Sequence, residues 1–169
     1  MVLSPEARNF LVGKCLARAH DYSFLVDTFL PGCLIFGHYV GGVHLNERLG
    51  LMMRPRPLRL ACQSIWLATM ILYSCVVLSW ARLYFERRAI RIATRTPAEA
   101  RGGVEFFTKC LERNTLLCRI LGPESAYYFT EEGEVVANFY ELPFHVSWRG
   151  FRDYCQARLE SLEQEQESA

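Results

Sequence analysis

Histidine and cysteine are the residue types in this sequence that could carry catalysis or bind a metal ion. Two of the four histidines, His38 and His44, lie six residues apart in a glycine-rich stretch. Six residues of a regular helix turn through about 600°, so the two imidazoles point about 120° apart and cannot share one metal or haem iron. We therefore assign the histidines to packing and hydrogen bonding, and we predict no metal site and no cofactor-binding residue.

The seven cysteines do not form a recognisable motif. Their number is odd, their spacing is irregular and no CxxC pair occurs among them. This pattern is typical of free and mostly buried thiols, and it argues against a disulfide framework or a zinc site. It also favours a compartment in which thiols stay reduced.

Motifs of the common enzyme classes are missing from the sequence, which contains no HExxH, no GxSxG, no P-loop and no dinucleotide fingerprint. A cysteine nucleophile paired with His145 stays open as an alternative, although nothing selects one of the cysteines. We predict that the chain is not itself an enzyme and has no catalytic residue, although it can belong to an enzyme complex.

The net charge of +1 conceals an uneven distribution of charge along the chain. Residues 60–81 carry no charge, and residues 82–119 carry nine basic and four acidic side chains. Residues 120–169 carry three basic and ten acidic side chains, a net charge of −7. A chain with so small a total charge is not expected to bind nucleic acid.

The uncharged segment Leu60–Ala81 has the length and composition of a transmembrane helix. At 1.5 Å per residue its 22 residues span about 33 Å, which matches a hydrocarbon core of about 30 Å. Arginines flank both ends, and Trp80 and Tyr84 lie where an aromatic belt is expected. The alternative is a buried helix of a soluble protein, but such helices rarely run so far without a polar face.

A second apolar stretch, residues 24–43, is interrupted by Pro31-Gly32 and contains Asp27 and His38. It is compatible with a kinked second span, a re-entrant segment or an interfacial helix. If it spans, the N-terminus and the C-terminal domain share one side of the membrane, and otherwise they lie on opposite sides. The arginines beside the two stretches are too evenly divided to decide the orientation.

Small residues in both apolar stretches predict contacts between helices. Gly37 and Gly41 have the small-xxx-small spacing that lets helix backbones approach closely in lipid. In Leu60–Ala81 the small residues fall near one face and the bulky residues near the other, which favours protein on one side and lipid on the other. The predicted helix-packing residues are Gly37, Gly41, Ala61, Ser64, Ala68, Cys75 and Ser79.

The helix is expected to continue beyond the apolar span until Pro97 stops it. Guanidinium groups on this extension would lie at the headgroup level, where they suit an anionic lipid such as cardiolipin or an acidic partner. A solvated anchor face is the alternative. The stripe at 4-3-4 spacing consists of Tyr84, Arg88, Arg91 and Arg95, and we predict headgroup contacts for Arg82, Arg88, Arg91 and Arg95.

The C-terminal segment is expected to form a helix, a β-hairpin and a second helix. A capping box at Thr96 begins the first helix, which Gly102-Gly103 could break. Residues 126–130 and 135–140 flank a glutamate-rich turn and predict the hairpin. Ser147 is expected to cap the last helix.

These elements predict a mainly α membrane protein with one transmembrane helix, a second Gly/Pro-interrupted span left open, and a small α+β C-terminal domain. The chain divides into an N-terminal amphipathic and apolar region (1–59), the transmembrane helix with its arginine-rich extension (60–95) and the small α+β domain (96–169). The aromatic residues of the last segment exceed what so small a core needs, so some are expected to meet other proteins.

In architecture alone, the predicted chain looks like a supernumerary subunit of a mitochondrial inner-membrane complex. We expect a structural accessory subunit of an oxidative-phosphorylation complex, in the first place the membrane region of ATP synthase, that stabilises assembly and binds lipid. A respiratory-chain complex, or a transient assembly or translocase factor, is the alternative. The expected partners are other membrane-protein subunits of a hetero-oligomeric complex and anionic lipid such as cardiolipin.

Overall fold

The computed structural model describes residues 2–21, 23–136 and 147–168. Within those ranges the chain forms five α-helices and no β-strand. The helices are α1 (Pro5–His20), α2 (Ser23–Arg48), α3 (Arg56–Ala93), α4 (Pro97–Leu121) and α5 (Trp148–Glu167). Short 3₁₀ turns at Leu51–Met53 and Gly122–Tyr127 follow α2 and α4.

Three of the helices begin at serine or threonine caps, and two of these, Thr96 and Ser147, are the caps that the sequence predicts. The side-chain oxygens of Ser4, Thr96 and Ser147 accept hydrogen bonds from backbone N–H groups in the first turns of α1, α4 and α5. Each cap satisfies an N–H group that a helix start leaves without a partner. At Thr96 the capping box is complete, because the Glu99 carboxylate also accepts from the Thr96 N–H at 3.1 Å.

Helices α2 and α3 lie side by side as an antiparallel helical hairpin that turns at residues 49–55. Both helices are long and apolar enough to cross a membrane, and none of the residues in their most apolar windows is buried within the chain. The interruption expected at Pro31 does not occur, since α2 continues through this residue as one helix. Gly50 takes a φ of 57° in the turn, a conformation that suits glycine.

The remaining elements form a helical head, which comprises α1, residues 79–93 of α3, α4 and α5. Phe107 lies at its centre, with the ring centroids of Phe10, Trp148 and Phe151 between 5.7 and 6.3 Å away. Burial raises the pKa of the Cys155 thiol to about 12, so this thiol stays protonated and packs as an apolar group. The buried core consists of Phe10, Ile90, Ala93, Phe107, Phe151 and Cys155.

Gly102 and Gly103 let two other helices approach α4 closely. A Cβ at Gly102 would lie 2.3 Å from the backbone carbonyl oxygen of Glu6 in α1, and one at Gly103 would lie 2.9 Å from Sγ of Cys155 in α5. Because α4 continues through both residues, the predicted break at Gly102-Gly103 is wrong. These glycines form a contact surface for α1 and α5. In a single sequence, a glycine pair that makes such a contact looks the same as one that interrupts a helix.

Beside this contact, Glu105 of α4 binds the start of α1. Its carboxylate accepts hydrogen bonds from the Ser4 N–H at 3.1 Å and from the Ser4 hydroxyl, and it pairs with the Lys109 ammonium at 2.5 Å. Lys109 also donates to the carbonyl oxygen of Val2 at 2.6 Å. The hydrogen bonds from Lys109 and Ser4 lower the pKa of Glu105 to about 2, from an ordinary value of 4.5.

The contact between α1 and α4 constrains how the chain crosses a membrane. Helix α1 precedes the α2–α3 hairpin and α4 follows it, yet the two helices touch at Gly102. A chain that crossed the bilayer once between them would place them on opposite faces, where they could not meet. If α3 crosses the membrane, α2 therefore crosses it as well, and α1 lies on the same side as the rest of the head.

The predicted β-hairpin is absent from the described residues, so the fold there is helical and the prediction of an α+β domain is wrong. A 3₁₀ turn, Gly122–Tyr127, occupies the place where the first strand was expected to begin. A single bridge between Phe129 and Val135 is the strand-like pairing in this region. Residues 137–140 of the second predicted strand lie outside the described residues.

Polar contacts hold this segment of the chain against α4 and α5. Asn114 of α4 is fully buried, and its Nδ2 donates to the carbonyl oxygen of Gly133 at 2.9 Å. Glu134, expected at a charged hairpin tip, accepts hydrogen bonds from the N–H groups of Trp148 at 3.0 Å and Arg149 at 2.6 Å. Its carboxylate therefore caps the positive end of α5.

The division of the chain into segments 1–59, 60–95 and 96–169 stays a prediction. The structure adds that α1, from the first segment, packs against α3 and α4 from the other two. The head is thus assembled from all three segments.

Replacing Gly102 with alanine is expected to destabilise the head by about 1–3 kcal/mol, the usual cost of adding a methyl group to a filled interface. The neighbouring atoms are backbone atoms of α1, which cannot rotate away. The matched control is Gly13→Ala, because a Cβ there would lie 3.7 Å from that of Ala93 and alanine favours a helix by about 1 kcal/mol. Thermal unfolding in detergent measures both variants, and equal midpoints would contradict the prediction.

Glu105 is expected to make the stability of the head depend on pH in the acid range. Its pKa falls from 4.5 to about 2 on folding, so its contribution is complete above about pH 4.5 and is lost as the pH falls through about 2. Glu105→Gln lacks this contribution, and its stability should fall less steeply than that of the wild type across the same range. Circular dichroism at a series of pH values tests this, and parallel curves would show that the carboxylate contributes nothing.

Candidate functional site

A groove lies on one face of α3, where this helix leaves its apolar part and enters the head. Its volume is about 800 Å³. Residues three and four positions apart share a helix face, and this spacing brings four arginines together along the groove. The lining residues are Trp80, Leu83, Tyr84, Arg87, Arg88, Arg91, Ile92 and Arg95.

An aromatic pair forms the end of the groove nearest the apolar part of α3. The rings of Trp80 and Tyr84 stack with their centroids 5.7 Å apart. Both side chains are exposed. Because amphipathic aromatic rings favour the headgroup level of a bilayer, this pair indicates that the arginines lie at or just beyond that level.

Arg88 joins the groove to the start of the hairpin. Its Nε lies 2.9 Å from Oδ2 of Asp21, whose side chain is 5% exposed. Asp21 also ends α1, where its backbone N–H donates to the carbonyl oxygen of Ala17. The pair therefore ties the junction of α1 and α2 to α3.

The guanidinium groups of Arg87, Arg91 and Arg95 form no ion pair with any residue in the described ranges. All three residues are exposed. They extend over about 12 Å of helix at 1.5 Å per residue. Three positive charges so close together, with no ion-pair partner among the described residues, form a strip that attracts an anion.

Arg82, the fourth predicted headgroup residue, does not line this groove. It lines a separate hollow of about 270 Å³ together with Lys14 and Arg18 of α1. Glu86 forms ion pairs with Lys14 and with Arg18, the latter at 3.3 Å. A headgroup contact for Arg82 stays a prediction, and it would be a contact separate from that of the other three.

The sequence analysis missed Arg87 as a member of the groove. The stripe counted from Tyr84 at 4-3-4 spacing passes through Arg88 and leaves Arg87 out. Counting from Trp80 at the same spacing passes through Tyr84, Arg87 and Arg91, so the signal was present in the sequence. The groove is broader than one helical stripe because it takes residues from both series.

Gly41, one of the predicted helix-packing residues, lies at the contact between α2 and α3. A Cβ there would lie 2.6 Å from the ring of Trp66. Trp66 stacks on His38 with centroids 6.0 Å apart, and its Nε1 donates to the carbonyl oxygen of His38 at 3.4 Å. A bulky residue thus fills the space that the glycine leaves, so the contact pairs a small residue with a large one.

The other predicted helix-packing residues are spread over several surfaces. Gly37 has no atom within 4 Å of an added Cβ, whereas Ser79 is buried where α3 enters the head. Cys75 is half-buried and lines an apolar groove shared with α2. A role for these residues in binding a partner helix stays a prediction. The remaining three are exposed, namely Ala61, Ser64 and Ala68.

The described residues contain no group of three or more histidine, cysteine, aspartate or glutamate side chains that could hold a metal ion. His38 contacts Trp66, and His44 accepts a hydrogen bond from Nε of Arg48 at 3.4 Å. His145, the candidate partner of a cysteine nucleophile, lies outside the described ranges.

The chain is similar in sequence to vertebrate transmembrane proteins. It is 27% identical to human transmembrane protein 177 over 154 residues, which cover 90% of this chain and 50% of the human protein. It is 24% identical to the Xenopus laevis protein of the same name over 165 residues, or 95% of this chain and 52% of that protein. The rat protein is 23% identical over 163 residues, or 90% and 50%. No family model and no solved structure matches the chain.

The chain spans about half the length of the curated relatives that it matches. These relatives are named as transmembrane proteins, and this chain has two helices, α2 and α3, with the length and apolar composition of membrane spans. The chain is therefore a membrane protein, and the transmembrane helix predicted at Leu60–Ala81 lies within α3.

Proposed function

We propose that this chain is a structural accessory protein of a hetero-oligomeric membrane complex that binds anionic lipid in the groove on α3. The observation that carries the proposal is the set of three arginines, Arg87, Arg91 and Arg95, that lack ion-pair partners in the described residues and line one groove. Guanidinium groups bind phosphate oxygens through paired hydrogen bonds. The phosphate groups of a lipid such as cardiolipin would supply the missing negative charge.

The order of residues along the groove favours a lipid over an acidic protein segment. The arginines lie toward the head, and Trp80 and Tyr84 lie between them and the apolar part of α3. A phospholipid presents its phosphate, its interfacial region and its acyl chains in the same order. An acidic segment would match the charges but would leave the apolar end of the groove unfilled.

Partner binding is supported by the surface of the α2–α3 hairpin, which the chain itself leaves open. Gly37 on α2 and the exposed small residues Ala61 and Ala68 on α3 present little side-chain bulk. In lipid, small residues favour contact with another helix because they let the two backbones approach closely. We propose that other membrane subunits occupy these faces.

We also propose a particular complex and compartment for the chain. We place the chain in the mitochondrial inner membrane, in the first place with the membrane region of ATP synthase. A respiratory-chain complex and a transient assembly or translocase factor are the alternatives. Support for this assignment comes from the architecture alone: a helical hairpin, an arginine-rich boundary and a small head.

Replacing Arg87, Arg91 and Arg95 together with glutamine is expected to weaken cardiolipin binding about 100-fold. A basic residue near an anionic surface contributes about 1 kcal/mol, and about 1.4 kcal/mol corresponds to a tenfold change in affinity. Native mass spectrometry of the detergent-purified protein, titrated with cardiolipin, measures the bound fraction.

The matched control replaces three arginines of the head that lie away from the groove, Arg8, Arg101 and Arg158, with glutamine. It makes the same change in net charge, and the ion pairs of Arg101 and Arg158, at 3.7 and 3.8 Å, are exposed and contribute little to stability. Equal cardiolipin binding by both triple variants would contradict the groove as the binding site.

The accessory role is tested by purifying the chain in mild detergent through a tag that follows Ala169. A native-gel band that contains other membrane subunits in whole-number ratio to this chain is the expected result, and the identities of those subunits decide the complex. Recovery below a whole-number ratio would favour the assembly factor. A band at the mass of the chain alone, or of its homodimer, would overturn the proposal.

A further inference from the structure

A second groove runs along the α2–α3 hairpin, on a part of the molecule distant from the arginine groove. It consists of two adjoining hollows of about 580 and 280 Å³. The linings of both hollows include Ile35, His38 and Leu67, so the two form one continuous hairpin groove.

The hairpin groove extends through most of the hydrocarbon core. It begins near the turn, where Asn46 and Gln63 line it, and it ends at Leu78. From Gln63 to Leu78, α3 rises about 22 Å at 1.5 Å per residue. Half of a hydrocarbon core of about 30 Å measures only about 15 Å. The groove therefore crosses the middle of the bilayer, and a single phospholipid, whose chains occupy one leaflet, does not fill it.

His38 lies in this groove near the centre of the bilayer. Its ring stacks on that of Trp66 with the centroids 6.0 Å apart, and it lines the groove together with Met70 and Ile71. These last two residues are the middle pair of the apolar segment Leu60–Ala81. The hairpin thus holds a polar ring at the depth that is farthest from water on either side.

The imidazole of His38 forms no hydrogen bond with the described part of the chain. Its Nδ1 is enclosed without a partner, and the hydrogen bond from Trp66 goes to the backbone carbonyl oxygen of His38. Nε2 is not enclosed in this way, and the side chain is half-buried in the groove. A polar group in hydrocarbon costs several kcal/mol unless it is hydrogen-bonded. The ring therefore requires a polar group from outside the described chain.

We infer that the hairpin groove is the docking site for a transmembrane helix of another subunit, which carries a polar side chain at mid-span that hydrogen-bonds to His38. This inference rests on the accessory role proposed above and names a surface at which a partner binds. A helix crosses both halves of the bilayer, as the groove does, and its side chain can bond to the imidazole. Acyl chains offer no hydrogen-bonding group. Gly37, Ala61 and Ala68 do not line this groove, so the contact is separate from the one proposed for them.

The shape of the groove favours a different subunit over a second copy of this chain. In a dimer with two-fold symmetry the same surface of each copy meets the other. Two hairpin grooves would then face each other and enclose a space between them, although packed proteins contain few voids larger than a water molecule. A single convex helix fills the groove instead.

Photo-cross-linking from three depths of the groove tests the inference in the full chain. Benzoylphenylalanine replaces Gln63, Ile71 or Leu78, one at a time, in the membranes where the chain is naturally made. After irradiation each protein is purified through a tag that follows Ala169. Tyr73 is the matched control position, because it is exposed, lies at nearly the same depth as Ile71 and points about 160° away from it around α3.

The adducts from the three groove positions are expected to map to one transmembrane helix of one co-purified subunit, in order along that helix. The protein adduct from Ile71 should exceed that from Tyr73 several-fold. Adducts with lipid alone, with a second copy of the chain or with scattered proteins would overturn the inference, as would a protein adduct at Ile71 no greater than at Tyr73.

The same purification separates failure of the inference from failure of the accessory role. If other subunits co-purify in whole-number ratio while the groove positions give no ordered protein adducts, the docking site is wrong and the accessory role stands. If no subunit co-purifies, the accessory role itself fails and the inference fails with it.

A pair of variants tests the hydrogen bond to His38. His38→Leu and His38→Gln both remove the ring that stacks on Trp66, but glutamine keeps a hydrogen-bonding group at this depth. With benzoylphenylalanine at Ile71, the protein adduct should fall several-fold in His38→Leu and should be largely retained in His38→Gln. Equal adducts in the two variants would contradict a hydrogen bond from the partner helix to this side chain.

Discussion

The close packing of α1 on α4 at Gly102 is the constraint on which the rest of the structure depends. The absence of a side chain there lets the backbone of α1 approach α4 directly, and the bonds from Ser4 to Glu105 hold the start of α1 in place. This contact brings Phe10 into the core of the head. It also joins the two ends of the α2–α3 hairpin, so α2 crosses the membrane if α3 does.

Helix α3 connects the two halves of the molecule, because one uninterrupted helix supplies both a membrane span and a wall of the head core. Where the two halves meet, some of the charged side chains form ion pairs and others do not. Asp21 pairs with Arg88, and Glu86 pairs with Lys14 and Arg18, which leaves the other groove arginines without an anionic partner in the described residues. The proposed lipid site belongs to this boundary between head and bilayer.

Local signals in the sequence correctly predict the starts of α4 and α5 and the main apolar span. A serine or threonine cap such as Thr96 or Ser147 acts within one turn of helix, so its effect can be read from adjacent residues. The arginine groove was partly predictable for the same reason, since helical spacing determines which side chains share a face. The β-hairpin prediction failed in the described residues, where a 3₁₀ turn follows α4 and Asn114 donates to the carbonyl oxygen of Gly133, a contact between residues distant in sequence. The role of Gly102-Gly103 and the contact of Gly41 with Trp66 depend on partner helices that spacing alone does not identify.

The membrane topology tests the central claim most directly. Protease-sensitive tags are placed at the N-terminus, in the exposed turn after Gly50 and at the C-terminus, one at a time, and each protein is reconstituted into sealed vesicles. For protein molecules inserted in the same orientation, the N-terminal and C-terminal tags are predicted to be both cut or both protected. The tag after Gly50 is predicted to show the opposite result. Opposite fates for the two terminal tags would mean that the chain crosses the membrane an odd number of times. Helices α1 and α4 could not then touch, and the head described here could not form.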